Sequence, residues 1–253
     1  MTKVKFGLRL LETLTSALYD NSIVIFREYV QNSVDAYNRA LENNSKRLKD
    51  FSVDITIDKK NSTITIHDNG YGIIEKEFEQ KMKNIGVDTK SDSFSQIGFR
   101  GIGRLSAIPF CDSLVFTNKQ EGSEYIHRFT WDGRKFNDLL MNDSEIDFNK
   151  AFDTITSLTS IKYAGAKKEH FFTVEIQNYN EEIKQLICHS DFEYQLSTLL
   201  PLNYSNDFTY KAEIKKRFNK LFNSNLDDLA FNVTLNKKSL SNISISLPAG
   251  GKS

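Results

Sequence analysis

Apolar residues recur with a helical period in the first forty residues of the chain. Residues 6–20 carry them at three- and four-residue steps, which predicts an amphipathic helix. A second helix is predicted to begin after a cap at Ser22 and to run to about Glu42. Its apolar face is formed by Ile23, Phe26, Val30, Val34 and Tyr37.

After the helical pattern, apolar residues recur at every second position. Residues 54–58 and 63–67 alternate apolar and polar side chains, and the Lys-Lys-Asn turn between them predicts a β-hairpin. Further strands are predicted at 114–116, 125–129 and 171–176. The first 180 residues are therefore expected to combine helices with a sheet.

The pattern changes again after residue 180. Helices are predicted at 181–188, 192–200 and 211–222, and strands at 231–235 and 243–247. We place a boundary near residues 185–205, which divides the chain into a first domain at 1–190 and a second unit at 191–253. The end of the chain stops in mid-pattern, so we expect it to be cut from a longer protein.

Composition and charge narrow the function classes. Hydrophobic residues make up 39% and charged residues 26% of the 253 positions, which is typical of a globular protein. Lys and Arg together number 33, as do Asp and Glu, so the formal net charge is zero. A net charge of zero disfavours nucleic-acid binding as the main function. Only two cysteines are present, which favours a reducing compartment. Since no apolar run approaches the ~20 residues of a membrane span, a cytoplasmic location is expected.

Three polar residues share one face of the second predicted helix. Glu28, Asn32 and Asp35 follow one another at steps of four and three residues, beside the apolar stripe. Taken alone, a solvated polar face is the simpler interpretation, because charged helix faces are common. The alternative is that the three side chains meet a ligand.

Two glycine-rich segments follow. Asp68 to Gly72 reads Asp-Asn-Gly-Tyr-Gly directly after a strand, where a carboxylate could accept hydrogen bonds from an exocyclic amine; a plain turn is the alternative. Gly98 to Gly103 is a glycine-rich turn that opens an apolar helix, and such a turn presents backbone N–H groups to phosphate oxygens. By itself a glycine triplet is a weak signal.

Together and in this order, the three segments resemble the motifs of the GHKL superfamily of ATPases, over about residues 6–180. The family includes gyrase B, histidine kinases, MutL and the ninety-kilodalton heat-shock chaperone. The chaperone branch is the most similar, because Arg27-Glu28, Asn32 and Asp35 match its helix, and Asn84-Ile85-Gly86 with Lys90 looks like its lid segment. Phe99-Arg100 and Gln31 depart from the usual pattern of that branch.

The resemblance implies an α/β fold. It is a two-layer sandwich with a mixed β-sheet and helices on one face, the Bergerat ATP-binding fold. Residues 191–253 would then be linker helices and the beginning of a middle or transducer domain. That domain usually donates a positive side chain to the nucleotide, so ATP hydrolysis by this chain alone is expected to be slow.

The resemblance also implies roles for single residues. Asp68 would accept from the adenine amino group, Gly72 would shape the base pocket, and Asn32 would bind Mg²⁺ through its side-chain oxygen. The other residues expected to bind ATP or ADP are Asp35, Asn84, Lys90, Gly98, Gly101, Ile102 and Gly103, the glycine-box members acting through backbone N–H groups.

Glu28 is the candidate general base, because it lies one turn before Asn32 on the same helix face. Arg27 is either a partner of Glu28 or an ordinary surface charge. A threonine on a later strand is expected to contact adenine through water; Thr173 is preferred over Thr159. His67 is expected to be a strand residue.

The expected function is a Mg²⁺-dependent ATPase module of a chaperone-like protein, with lid closure and nucleotide-driven homodimerisation through the N-terminal helix. The main alternative is the ATPase module of a DNA-transaction protein of the MutL, topoisomerase or MORC-like kind, so DNA stays open as a partner of a longer protein. Two further hypotheses are a histidine kinase domain and a nucleotide sensor without turnover. The client protein is not identified by the sequence.

Overall fold

The structure is a computed structural model that describes residues 22–42, 48, 50–84, 103–141, 148–205, 208–222 and 231–242. The predicted helix at 6–20 and the predicted strand at 243–247 lie outside the described residues.

The first half of the described chain holds two helices and four strands. In chain order they are α1 (Val24–Glu42), β1 (Ser52–Asp58), β2 (Thr63–Asp68), α2 (Glu75–Lys83), β3 (Cys111–Lys119) and β4 (Tyr125–Asp132). Two 3₁₀ turns, Gly103–Leu105 and Ile108–Phe110, precede β3. The second predicted helix, the hairpin and the strands at 114–116 and 125–129 are thus confirmed.

The second half is richer in helices. It contains α3 (Gly133–Met141), α4 (Phe148–Ile155), β5 (Thr156–Lys162), β6 (Phe171–Tyr179), α5 (Glu181–Cys188), α6 (Phe192–Leu199), α7 (Lys211–Phe222), β7 (Asn232–Leu235) and β8 (Lys238–Ser239). The helices predicted after residue 180 and the strand at 231–235 are confirmed within a residue or two.

Eight strands form one sheet in the described part of the chain, in the order β5-β4-β3-β6-β2-β1-β7-β8. Neighbouring strands are antiparallel except β1 and β7, which are parallel. The mixed sheet with helices packed on it confirms the predicted α/β fold class.

The two faces of the sheet differ in polarity because side chains alternate along each strand. On one face the cross-strand rows are apolar; Ile66, Val174 and Phe116 lie side by side on β2, β6 and β3, and all three are buried. The opposite face carries Thr65 and Glu175 in the neighbouring row. The helices therefore pack on the apolar face, where α1 contributes the buried Phe26, Tyr29, Val30 and Val34 to the core.

The sheet and the core run continuously across the division predicted near residue 190. The ring of Phe192 on α6 packs edge-on against Phe26 of α1, with 5.2 Å between ring centroids. Strand β7 pairs with β1, and the Thr234 hydroxyl donates to the Asp54 carboxylate over 2.7 Å. This part of 191–253 shares the fold of the residues before it, and the start of a transducer domain stays a prediction.

We predict that Phe192→Ala destabilises the whole sheet and not only the residues after 190. Removing a buried aromatic ring typically costs about 3–5 kcal/mol. Trp131, the single tryptophan of the sequence, is fully buried on β4, so its emission during urea denaturation reports the unfolding of the sheet.

The matched control is Tyr194→Ala on the same helix, because Tyr194 is 46% exposed. An unfolding midpoint of Trp131 emission that is the same in Phe192→Ala and wild type would contradict a shared core.

Candidate functional site

A buried carboxylate lies where β2 ends. Asp68 follows Ile64 and Ile66 at two-residue steps, so it occupies the apolar face of the sheet and is only 4% exposed. The Gly70 N–H donates to Asp68 Oδ1 over 3.0 Å, and the Ser33 hydroxyl of α1 also donates to this carboxylate. Burial outweighs these hydrogen bonds and raises the pKa of the Asp68 carboxyl to about 6.

The turn after Asp68 requires glycine at position 72. Gly72 has a φ of +66°, and a Cβ there would lie 2.7 Å from the Lys119 carbonyl oxygen and 2.8 Å from Asn118 Oδ1. The buried Asn118 side chain pairs with Ile73 through two hydrogen bonds, of 2.7 Å from the Ile73 N–H and 2.8 Å to its carbonyl oxygen. The backbone after Asp68 is therefore held tightly against β3.

Aromatic rings stack beside this turn, an arrangement that the sequence analysis missed. Tyr71 stacks on His170 at 5.2 Å and on Tyr37 at 6.4 Å, and Tyr37 stacks on Phe51 at 4.0 Å between centroids. His170 Nδ1 also donates to the Gly70 carbonyl oxygen over 2.9 Å. His170 is a hundred residues from Gly70, so local sequence carries no signal of the contact.

The polar face of α1 meets the second glycine segment at Gly103. A Cβ on Gly103 would overlap with Glu28 Oε2, which shows that the Glu28 carboxylate rests against the Gly103 backbone. Glu28 is partly buried, with 16% of its side chain exposed, and it accepts a 2.9 Å hydrogen bond from Arg27 Nη2. Of the two interpretations of Arg27, the structure thus shows the ion pair with Glu28.

The two other polar residues of this face have different surroundings. Asn32 is exposed, and its amide makes no hydrogen bond within the part of the chain that is described. Asp35 is half-buried and accepts from Gln31 Nε2 over 2.8 Å. Desolvation raises the pKa of Asp35 above its ordinary value of 3.8, against the opposing effect of that hydrogen bond.

Helix α1 is thus the element that joins the predicted motifs. Ser33 touches the strand-end carboxylate, and Glu28, on an adjacent turn, touches Gly103. Asn84, the last residue before an undescribed stretch, has its carbonyl oxygen bound by the guanidinium of Arg104 next to Gly103. Lys90, Gly98, Gly101 and Ile102 lie outside the described residues.

The adenine contact predicted for Thr173 needs correction. Thr173 pairs with His67, whereas its neighbour Phe172 pairs with Asp68, so the Thr173 side chain lies on the opposite face of the sheet from the carboxylate. There its hydroxyl bonds to His67 Nδ1 over 2.9 Å, which confirms His67 as a strand residue. Thr159 lies in the same cross-strand row as Thr173, through Arg128 and Thr117, and is also on the wrong face.

The residues fit an adenine nucleotide. The buried Asp68 carboxylate can accept from an amine, and Gly103 lies beside the polar face of α1. Among the described residues, no group of three His, Cys, Asp or Glu side chains could hold a metal ion. Asn32 would therefore act as a single protein ligand, which suits Mg²⁺ because this ion usually keeps several waters and binds substrate phosphates.

We predict that Asp68 makes the stability of the protein fall as the pH rises from about 4 to about 7. The folded-state pKa of about 6 lies above the ordinary value of 3.8, so the folded protein binds the extra proton between these values. The stabilisation that this extra proton on Asp68 provides is complete below the ordinary pKa, and it is lost as the pH rises through about 6. A shift of two units corresponds to about 3 kcal/mol.

Urea denaturation of the wild type and of Asp68→Asn across this pH range measures the effect. The free energy of unfolding of the wild type, minus that of the variant, should decrease by about 2–3 kcal/mol. Parallel curves for the two proteins would show that Asp68 titrates normally.

Comparisons with known proteins agree with this geometry. The family described as histidine kinase-, DNA gyrase B-, and HSP90-like ATPase matches residues 21–160. Chaperone protein HtpG of Rickettsia typhi is 24% identical over 243 residues, which cover 87% of this chain and 38% of the relative. HtpG of Natranaerobius thermophilus is 29% identical over 145 residues, covering 49% of this chain and 23% of the relative.

The chain thus spans about a quarter to two fifths of the length of the curated relatives it matches. In the part of the chain that the structure describes, no helix has the length and hydrophobicity that a membrane span needs. The family match covers more than half of the chain and includes α1, β2 and the turn at Gly103. The chain therefore belongs to the family of histidine kinase-, DNA gyrase B- and HSP90-like ATPases.

Proposed function

We propose that this chain is the Mg²⁺-dependent ATP-binding and ATP-hydrolysing module of a chaperone-like protein. The observation that carries the proposal is the buried Asp68 carboxylate, which is held between β2 and α1 and retains acceptor capacity. An adenine amino group donates to such a carboxylate, whereas the carbonyl oxygen of guanine would be repelled by it. Asp68 would therefore select adenine.

The phosphates would lie nearer to the N-terminal end of α1, beside Glu28. The turn at Gly103 would offer backbone N–H groups to the phosphates, and the Glu28 carboxylate rests against Gly103. A Mg²⁺ ion bound through the Asn32 oxygen would offset the charge of the phosphate oxygens. Glu28 would orient and deprotonate the attacking water, and its ion pair with Arg27 would hold the carboxylate until the nucleotide is in place.

The chaperone-like role is supported by the relatives, which are named chaperone protein HtpG. The zero net charge of the chain also favours this role over DNA binding. We further propose lid closure over the nucleotide, homodimerisation through residues 6–20 in the ATP state, and a cytoplasmic location. Lys90, Gly98, Gly101 and Ile102 keep their proposed contacts with the nucleotide.

We predict that Asp68→Asn lowers the affinity for ADP by roughly 10- to 100-fold. The single carbonyl oxygen of Asn would have to accept from the Gly70 N–H, from Ser33 and from adenine at once, while its NH₂ group faces other donors. Isothermal titration with ADP in the presence of Mg²⁺ measures the loss.

The matched control is Asp54→Asn, on the neighbouring strand and on the opposite face of the sheet. Its ADP affinity should equal that of the wild type. Unchanged affinity in Asp68→Asn would remove the adenine assignment.

We predict that Glu28→Gln lowers the rate of ATP hydrolysis by about 10²–10⁴-fold and leaves ADP affinity within about twofold of the wild type. Gln preserves the size of a side chain that touches Gly103, so the loss would report the missing base. Phosphate release at saturating ATP measures the rate, and Arg27→Gln separates the effect of the ion pair. Hydrolysis at the wild-type rate in Glu28→Gln would exclude Glu28 as the base.

A further inference from the structure

Arg104 connects two parts of the site, the turn at Gly103 and the C-terminal end of α2. It directly follows Gly103 in the 3₁₀ turn, and its guanidinium donates from Nη1 to the Lys81 carbonyl oxygen and from Nη2 to the Asn84 carbonyl oxygen. Both acceptors belong to the C-terminal end of α2, which ends at Lys83. Burial lowers the pKa of Arg104 to about 10, so the side chain stays charged at neutral pH.

The backbone of Arg104 is fixed to a different helix. The hydroxyl of Tyr29, which is buried on α1, donates to the Arg104 carbonyl oxygen over 2.9 Å and accepts from the Ala107 N–H over 3.3 Å. Tyr29 is the neighbour of Glu28 in the chain. Arg104 therefore joins α1, through its backbone, to the end of α2, through its side chain.

The end of a helix suits a cation. The last carbonyl groups of an α-helix have no partners within the helix and carry the negative end of its dipole. The planar guanidinium can donate to two of these oxygens at once, whereas a lysine ammonium on a flexible chain does not reproduce that fork. Loss of the guanidinium would leave the Lys81 and Asn84 carbonyls without this donor and would uncouple the end of α2 from the turn at Gly103.

We propose that Arg104 is a positioning residue that couples the C-terminal end of α2 to Gly103, and through Gly103 to the Glu28 carboxylate. The proposal rests on the proposed ATPase function, because Glu28 is the base of that reaction. Arg104 acts through Gly103 and Glu28 and makes no contact with the reacting atoms. Through this link, a displacement of α2 changes the position of the Glu28 carboxylate. In the other direction, a bound nucleotide makes the C-terminal end of α2 more ordered.

The experiment compares Arg104→Met and Arg104→Lys with the wild type. In Arg104→Met we expect kcat for ATP hydrolysis to fall about 10- to 100-fold, because small misplacements of catalytic groups have effects of this size. ADP affinity and KM should stay within about threefold, because Asp68 is untouched. Arg104→Lys should recover part of kcat, since one ammonium can still reach one carbonyl oxygen.

Amide hydrogen exchange gives a readout that does not depend on turnover. In the wild type, ADP should slow exchange both in residues 103–107 and in residues 82–84. In Arg104→Met, ADP should still slow exchange in residues 103–107 and no longer in residues 82–84. The control pair is Arg128→Met and Arg128→Lys, because Arg128 bonds Glu175 over 3.0 Å on the opposite face of the sheet. These controls should match the wild type in both assays.

Three outcomes separate the proposals. Wild-type kcat and wild-type exchange in Arg104→Met would overturn the coupling. A parallel loss of kcat and ADP affinity, together with a lower unfolding midpoint of Trp131 emission, would show a merely structural role and would also overturn it. Failure of the wild type to bind ADP would instead overturn the proposed function; faster exchange of residues 82–84 and 103–107 in ligand-free Arg104→Met would then still support the coupling.

Discussion

A carboxylate buried at the end of a strand is the constraint on which the rest of the site depends. The alternation of β2 puts Asp68 at a position that otherwise holds an apolar side chain, since Ile64 and Ile66 precede it on the same face. Burial of a charged group is unfavourable unless it is paired or hydrogen-bonded. The fold provides the Gly70 N–H and the Ser33 hydroxyl, and the second of these fixes α1 relative to the sheet. The same helix then carries Glu28 to Gly103.

Much of this arrangement was predictable because it follows from local periods. The apolar steps of three and four residues predict α1, and the alternation predicts the β1–β2 hairpin. The glycines after Asp68 predict a tight turn, and the structure shows that this turn requires glycine at position 72. The error at Thr173 was avoidable by the same reasoning. Val174 and Ile176 form the apolar face of β6, so Thr173 has to lie on the other face with Glu175. A resemblance to a family motif does not indicate which face of a strand a threonine occupies, whereas the alternation along β6 does.

Other features depend on contacts between distant segments, and no local pattern encodes them. The parallel pairing of β7 with β1 joins residues about 180 positions apart, so the change of pattern near residue 190 suggested a boundary where the sheet continues. The stacking of Tyr71 on His170 and the bonds from Arg104 to the end of α2 are of the same kind. A sequence shows which side chains are available for such contacts, but the choice among them is made by the packing of whole elements.

Charged groups with little access to solvent in the described part of the chain differ in their partners, and the difference indicates where a ligand would act. Lys119 is fully buried, and the three N–H groups of its ammonium are shared among four carbonyl oxygens, those of Gln120, Ser123, Lys167 and Glu169. The guanidinium of Arg104 has carbonyl partners as well. Burial raises the pKa of Asp68 to about 6 in spite of its hydrogen bonds, so the desolvation of this carboxylate is only partly compensated. A donor from a bound nucleobase would stabilise the charged form of Asp68, so ligand binding and the stability of the fold are linked at this carboxylate.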